Sequence, residues 1–169
     1  MRYLIPALLM LIVACTGIPE GVQPITGFEL DRYLGTWYEI ARLDHSFERG
    51  LTDIRAEYSL LEDGGVKVIN SGYDADEGLR QEAEGKAYFA DKPDMGQLLV
   101  SFFGPFYGAY NIIALDKSGY QYAMISGPTR DYLWILSRNP MLDKQIIQQL
   151  IAKAEDLGFA TDKLIFDKH

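Results

Sequence analysis

The chain has 169 residues, a formal charge of −8 and a single cysteine. This length suffices for one domain with a substantial core. The acidic balance, without clustered Lys and Arg, argues against nucleic acid as a partner, and one cysteine excludes an intramolecular disulfide.

The first fifteen residues, MRYLIPALLMLIVAC, have the layout of a secretory signal peptide. Arg2 precedes an apolar run over 3–13, which is too short to span a bilayer. The stretch LIVAC resembles a bacterial lipobox. That resemblance implies cleavage after residue 14, lipid modification of Cys15 and, with Thr16 following, the outer membrane. A plain signal peptide with an incidental cysteine is the alternative.

The next segment, TGIPEGVQPITG over 16–27, contains three glycines and two prolines. It predicts a flexible tether that starts at the lipidated Cys15 and reaches about 40 Å when fully extended. The folded domain is then expected over 28–169.

From Gly35 onward, short segments of alternating apolar and polar residues are separated by turn residues such as the EDGG sequence over 62–65. Their regular spacing, with no helical pattern between them, predicts an antiparallel sandwich or an up-and-down barrel. The predicted strands cover 36–43, 52–60, 66–73, 80–90, 97–103, 110–116, 120–126 and 131–138.

One helix is predicted after the strands, because apolar residues recur at helical spacing between Leu142 and Leu157. Asp143 is a suitable N-cap and Gly158 a suitable stop. The apolar stripe of this helix would cover the outer wall of a barrel. KLIFD, over 163–167, is predicted as a short extra strand.

Two segments match a family pattern. GTW (Gly35, Thr36, Trp37) resembles the G-x-W motif of lipocalins, and RDYLWILSR resembles their later motifs through Asp131, Tyr132 and Arg138. Longer stretches, such as SFFGPFYGAYNIIALD, are similar to bacterial outer-membrane lipocalins, relatives of apolipoprotein D. The resemblance covers about 30–166. It implies an all-β, eight-stranded antiparallel up-and-down lipocalin β-barrel with one C-terminal α-helix packed on the outside.

The same resemblance implies that Trp37 lies inside the closed end of the barrel, with Arg138 across its ring. Alternation along the first strand then turns Trp37, Glu39 and Ala41 inward. A buried carboxylate is costly unless it is paired. Glu39 is therefore either a polar group that orients water or a ligand headgroup, or a carboxylate tied to Arg or Tyr partners.

Alternation also predicts which side chains line the barrel. Val66, Leu98, Ile112 and Leu136 are expected inside, with Phe106 and Tyr107 near the rim. The mixture of apolar side chains and scattered hydroxyls suits a lipid with a long tail and one polar end, although the same residues could fill a solid core. The candidate ligand-binding residues are Ala41, Ile54, Ala56, Tyr58, Val68, Asn70, Val100, Phe102, Tyr107, Tyr110 and Trp134.

The loop over 44–50 carries an apolar side chain, Phe47, at the expected open end, where it would cap the mouth or meet a partner. His45, Glu48 and Arg49 beside it either contact a headgroup or are solvated.

The resemblance implies a non-enzymatic carrier of fatty acids or lysophospholipids at the periplasmic face of the outer membrane. An adaptor lipoprotein and a lipid-modifying enzyme are the alternatives, and a homodimer is left open. The chain has two histidines, no G-x-S-x-G sequence and no H-x-x-x-H or C-x-x-C spacing, so neither catalysis, a metal nor a cofactor is expected.

The lipobox interpretation predicts the effect of one substitution. Cys15→Ser removes the acceptor of the lipid, so the variant should be recovered in the soluble periplasmic fraction rather than with outer membrane. Cell fractionation measures this. Recovery of the variant with the outer membrane at the parent's level would contradict a lipid anchor at Cys15.

Overall fold

The computed structural model describes residues 17–169, so the predicted signal peptide and Cys15 lie outside the described residues. No helix within this range is long and apolar enough to cross a membrane. In chain order the elements are α1 (Leu30–Tyr33), β1 (Gly35–Arg42), β2 (Leu51–Leu60), β3 (Val66–Asp74), β4 (Leu79–Phe89), β5 (Gln97–Phe103), β6 (Phe106–Leu115), β7 (Tyr122–Ser126), β8 (Leu133–Ser137), α2 (Lys144–Asp156), a single 3₁₀ turn (Thr161–Lys163) and β9 (Ile165–Phe166).

The strands form a closed antiparallel barrel. Each strand from β2 to β7 pairs with the next one along the chain, and β1 pairs with both β8 and β2. The predicted eight-stranded up-and-down barrel with one C-terminal helix is confirmed. Because the strands alternate in direction, the loops after β1, β3, β5 and β7 lie at one end, called the open end. The short helix α1, which the sequence pattern did not predict, lies at the opposite, closed end.

Two separate apolar clusters flank the barrel wall. One fills the barrel interior and includes Trp37, Tyr58 and Leu98. The other lies between the outer wall and α2, where Leu150 and Ala154 of the helix are buried. Alternate residues of a strand point to opposite faces, so one wall supplies both clusters. Helix α2 is thereby fixed to the outside of the barrel.

The ends of α2 are where the sequence predicts them. The Asp143 side chain accepts a hydrogen bond from the backbone N–H of Gln145 at 2.7 Å, which satisfies a donor in the first helical turn. Gly158 has φ +84°, the left-handed conformation that ends many helices.

Strand β1 contains a β-bulge. Glu39 pairs with Leu136 and Ala41 with Ile135, so β1 advances by two residues while β8 advances by one. The extra residue reverses the alternation that follows it. Ile40 and Ala41 both join the cluster beneath α2. The prediction that Ala41 lines the cavity is therefore wrong, and Arg42 takes the inward position.

The segment before α1 is not a flexible tether, contrary to the prediction for 15–27. From residue 17 it lies along the barrel, with Val22 buried in the outer cluster beneath α2 and Phe28 buried in the interior cluster at the closed end. The backbone N–H of Ile25 donates to Ile112 O at 2.9 Å, and Gly96 N donates to Ile25 O at 2.9 Å. Gly21 and Gly27 form turns at positive φ, and the apolar residues between them pack against the barrel. The described residues 17–27, predicted as part of the tether, are thus packed on the folded barrel.

The C-terminal tail lies between β1 and β2. Direct pairing of these strands ends at Tyr38 and Arg55, and β9 then pairs with the end of β1. On the other side, Asp53 N donates to Lys168 O at 3.0 Å and Ile54 N to the Asp167 carboxylate at 2.7 Å. The tail supplies backbone partners that β1 and β2 no longer give each other.

Trp37 and Arg138 hold the closed end together. Trp37 is fully buried and donates from Nε1 to Tyr33 O at 2.8 Å. The Arg138 guanidinium carbon lies 4.1 Å from the centre of the Trp37 ring, as the family resemblance implies. Arg138 also donates to the carbonyls of Thr36 and Arg32 at 3.0 and 2.8 Å.

Gly35 is required at this end. Its φ is +96°, and a Cβ there would lie 3.3 Å from Nη1 of Arg138. A larger residue would be strained in backbone conformation and would displace the guanidinium from the carbonyls that it serves.

Arg138→Ala is expected to lower the free energy of unfolding by about 2–3 kcal/mol, because a cation–π contact and charged hydrogen bonds to carbonyls are lost together. Denaturant unfolding measures this. Arg49→Ala is the control, since the Arg49 side chain is 64% exposed and pairs only with Asp44 on a loop. Equal stability of the two variants would contradict the structural role of Arg138.

Candidate functional site

The lower half of the barrel interior is filled. Among the predicted lining residues, Ala56, Tyr58 and Val68 are buried in the interior cluster, and Ile54 is buried nearer the open end of β2. An enclosed cavity of about 10 Å³ remains, lined by Phe28 of the closed end and by its barrel neighbours. This is room for about one water molecule. The lower interior is therefore filled core, which is the alternative to a ligand cavity that the sequence left open.

Three tyrosine hydroxyls cross the interior above the floor, and they are called the tyrosine layer. Tyr110 Oη lies 2.8 Å from Tyr33 Oη and 2.9 Å from Tyr58 Oη. Burial raises the pKa of Tyr58 to about 12 and raises the pKa of the other two as well. The hydroxyls thus stay protonated. Two bonds use two of three hydrogens, so one O–H is available to a further acceptor.

The upper half of the interior is accessible. Val100, Phe102, Tyr110 and Trp134 pack against the interior cluster but keep part of their surface exposed. Asn70 is also partly exposed. These five predicted residues are the ones that an incoming ligand can touch.

Strand β4 adds lining positions that the sequence predictions missed. Ala87 belongs to the interior cluster, so alternation also turns Gly85 and Ala83 inward, and Ala83 pairs with Asn70 and is exposed. The signal was present in EAEGKA, where small residues alternate with charged ones. The Phe102 ring fills the space beside Gly85, where a Cβ would lie 2.8 Å from it, so the exposed Ala83 is the small side chain that leaves space in the upper lumen.

A charged cluster lies inside the open end, and it is called the mouth cluster: Glu39, Arg42, His45, Glu48 and Trp134. Arg42 donates from Nη1 to Glu39 at 2.8 Å. Glu48 Oε2 lies 2.9 Å from His45 Nε2 and accepts from Trp134 Nε1 at 3.2 Å. Glu39 and Arg42 are 2% and 3% exposed. Of the two interpretations of Glu39, pairing with an arginine is the one observed.

The loop over 44–50 divides into two parts. His45 and Glu48 turn inward to the mouth cluster, whereas Arg49 is exposed and pairs with Asp44 at 2.8 Å. Arg42 was not predicted as a site residue, because simple alternation does not reveal the bulge that turns it inward.

Asp131 is exposed in the loop after β7, and Tyr132 stacks on Trp134 with ring centres 6.1 Å apart.

The two carboxyl groups of the mouth cluster differ in protonation. Burial raises the pKa of Glu39 well above its usual value, and the charge of Glu48 adds to this. Burial acts on Glu48 in the same direction, yet the His45 ring 2.9 Å away and the hydrogen bond from Trp134 hold the pKa of Glu48 below its usual value. Glu48 therefore carries the negative charge of the cluster more readily than Glu39 does.

The rim of the open end is aromatic. Phe47, Phe106 and Tyr107 are 72%, 72% and 39% exposed. Tyr107 thus lies at the rim, where the sequence places it, and Phe47 does not close the mouth.

A larger cavity of about 350 Å³ lies outside the barrel, between the wall and α2. Ile146 and Leu150 line it on one side, and Lys117 and Lys153 border it. Among its described lining residues, none offers a buried polar group that would orient a ligand. The upper lumen, with hydroxyls below and charges at one side, is the better-defined site. Within 17–169, no three His, Cys, Asp or Glu side chains are grouped to hold a metal.

The raised pKa of Glu39 predicts a pH effect. The folded state retains a proton that the unfolded chain releases above about pH 4.5, so this group's contribution to stability falls as pH rises toward its folded pKa. Glu39→Gln is neutral at every pH. The variant should lose less unfolding free energy between pH 5 and pH 8 than the parent does. Denaturant unfolding at both values, with exposed Glu57→Gln as control, measures this. Parallel pH profiles for all three proteins would contradict it.

Comparisons with known proteins agree with this geometry. The Lipocalin-like domain family matches residues 28–169. "Outer membrane lipoprotein Blc" of Escherichia coli K12 is 54% identical over 158 residues, covering 92% of this chain and 89% of that one. The protein of the same name from Vibrio cholerae serotype O1 is 51% identical over 157 residues, covering 93% and 92%. That shared name confirms the predicted lipid-anchored location at the outer membrane.

More distant relatives share the fold. Apolipoprotein D of Rattus norvegicus is 38% identical over 143 residues, covering 79% of this chain and 74% of that one. The structure of insecticyanin from the tobacco hornworm Manduca sexta superimposes with a TM-score of 0.72 at 24% identity, covering 90% and 87%. The motif residues, the closed barrel and these matches together show that the chain belongs to the lipocalin family.

Proposed function

We propose that the protein is a lipid-anchored carrier that holds one single-chain lipid, a fatty acid or a lysophospholipid, in the upper lumen of its barrel. The lipocalin family and the outer-membrane relatives support the broader statement that it binds hydrophobic ligands. The observation that carries the finer proposal is the accessible apolar upper lumen, which has polar groups below it and beside it.

The apolar part of the lumen would take the acyl chain. Phe102 and Val100 on β5 face the interior together with the small side chains of β4. Each methylene group transferred from water to such surroundings contributes about 0.8 kcal/mol. The small residues supply width on one side of the lumen, and Trp134 supplies a flat apolar surface on another.

The polar groups would orient the ligand. The tyrosine layer has one O–H to donate. In the mouth cluster, Arg42 Nε is buried without a hydrogen-bond partner among the described residues, and a carboxylate oxygen of Glu48 lies 4.0 Å from it. A buried donor without a partner is costly, so an acceptor from the ligand would be stabilising there. We place the carboxylate or phosphate of the lipid beside Arg42, with the chain running toward β4.

A carrier is favoured over an enzyme by where the histidines lie. His45 is engaged by Glu48 and lies against Trp134 inside the mouth. His169 is bound to Asp53 and to Glu39 O at the edge of β1, away from the lumen. Neither is paired with a nucleophilic side chain.

An adaptor that docks a partner through Phe47 is the second candidate, and a homodimer stays a prediction. Native mass spectrometry separates carrier from adaptor. A protein purified after exposure to cell lipids should carry one lipid per barrel if it is a carrier, and none if it is an adaptor.

Ala83→Phe should weaken binding of palmitate or a lysophospholipid about tenfold, because the added ring fills the upper lumen, at the roughly 1–3 kcal/mol scale of overpacking. Glu84→Phe is the matched control, since Glu84 is the next residue on the same strand and its side chain is 63% exposed. The change in Trp134 fluorescence on titration measures affinity, and Trp134→Phe should remove most of that signal.

Two results would contradict the proposal: unchanged affinity in Ala83→Phe, or saturable binding with no change in Trp134 fluorescence. Ala56 is less suitable for this test. It lies directly opposite Trp37 in the filled lower half, so a bulky residue there would report on stability instead.

A further inference from the structure

The described chain begins at the open end of the barrel. Gly17 O accepts a hydrogen bond from Asn111 Nδ2 at 3.3 Å, and the same Nδ2 donates to Gly127 O at 3.2 Å. Gly127 directly follows β7, at the open end. From there the segment runs along the wall to Phe28, which packs on Tyr33 at the closed end. The first described residue, two positions after Cys15, therefore lies near the mouth.

The β5–β6 hairpin projects from the same end. Phe103 pairs with Phe106 across the turn, and their exposed fractions are 76% and 72%. Together with Tyr107 they are called the aromatic tip. Residues 102–109, FFGPFYGA, contain no charge in a chain in which charged residues make up 24%. Exposed, contiguous apolar side chains of this kind mark a contact surface.

The heights of the anchor and the tip can be compared along β6. Five residues separate Phe106 from Asn111, which at about 3.3 Å per residue and a barrel tilt of about 40° is roughly 13 Å along the barrel axis. Cys15 is two residues before Gly17, so the chain between them spans at most about 7 Å. The aromatic tip therefore extends outward at least as far as the lipidated residue can.

We propose that the aromatic tip inserts into the interfacial region of the bilayer that holds the lipid anchor, so that the open end of the barrel faces this membrane. Phenylalanine and tyrosine are well suited to the boundary between headgroups and acyl chains. The inference rests on the lipid anchor at Cys15. It does not require that the lumen binds lipid.

The charges at the open end set which side meets the membrane. The turn between β3 and β4 carries Asp74, Asp76 and Glu77. Anionic headgroups repel these carboxylates. The barrel is thus tilted toward the uncharged tip of the β5–β6 hairpin, and β6 of this hairpin also contacts Gly17. If the proposed carrier function holds, a lipid then passes between bilayer and lumen without crossing open water.

The test uses the acylated full-length protein with one added cysteine. Acylation leaves Cys15 without a free thiol, so Phe106→Cys can be labelled uniquely with an environment-sensitive dye. Met141→Cys is the control, because Met141 is 87% exposed and follows β8 at the closed end. The labelled proteins are placed in vesicles of phosphatidylethanolamine and phosphatidylglycerol, with or without phospholipid that carries a nitroxide on its acyl chain.

The dye at 106 should shift to shorter emission wavelength in vesicles and be quenched several-fold more by the nitroxide lipid than the dye at 141. Equal quenching at the two positions would overturn the proposal. So would a blue shift at 106 without quenching, since that result means that a second copy of the chain covers the tip. If the acylated protein does not co-float with vesicles, it has no working lipid anchor, and the proposal, which rests on that anchor, is overturned.

A second variant keeps the test independent of labelling. Cys15→Ser serves as the reference here, because it lacks the anchor and leaves only the contacts of the barrel with the vesicle. Adding Phe103→Ser and Phe106→Ser to this protein should weaken its binding to the same vesicles roughly tenfold. Leu60→Ser, at the closed end, should leave that binding unchanged. Ala83→Phe should also leave it unchanged, so failure of the carrier function is distinguishable from failure of membrane insertion.

Discussion

The barrel depends on a constraint in β1, the strand that pairs with β8, β2 and β9. To close the barrel, β1 must stay in register with β8 while its pairing with β2 ends at Tyr38. The bulge at Ile40 lies where this change of partner occurs. One extra residue turns Ala41 toward α2, turns Arg42 into the lumen and leaves the gap that the C-terminal tail fills.

The inward turn of Arg42 determines the chemistry of the mouth. Buried charges are costly alone, and each one here has an opposite charge or a hydrogen-bond donor beside it. Arg42 binds Glu39, and Glu48 is held by His45 and Trp134. The upper lumen is therefore an apolar space between two polar groups of residues, the mouth cluster and the tyrosine layer, an arrangement that matches an amphiphile better than a wholly apolar molecule.

Docking of the N-terminal segment changes how the protein is held at the membrane. A free segment of twelve residues would let the barrel tumble at a distance from the lipid headgroups. With Gly17 bound to Asn111, little free chain separates the barrel wall from Cys15. The mouth and the aromatic hairpin then share one end of the molecule with the anchor, which links the orientation of the barrel to the location of its proposed ligand.

The sequence by itself determined the strand order, the inward residues of β2, β3, β5 and β6, the capped helix and the pairing of Trp37 with Arg138, because alternation, caps and family motifs are local patterns. Only the tertiary structure decided the orientation of Ala41 and Arg42, the docking of 17–28 and the insertion of the tail. A bulge is set by the register of the neighbouring strand. Glycine and proline indicate where a segment turns, but they do not indicate the surface against which that segment packs. These features depend on partners distant in the chain, and the local pattern of residues does not contain them.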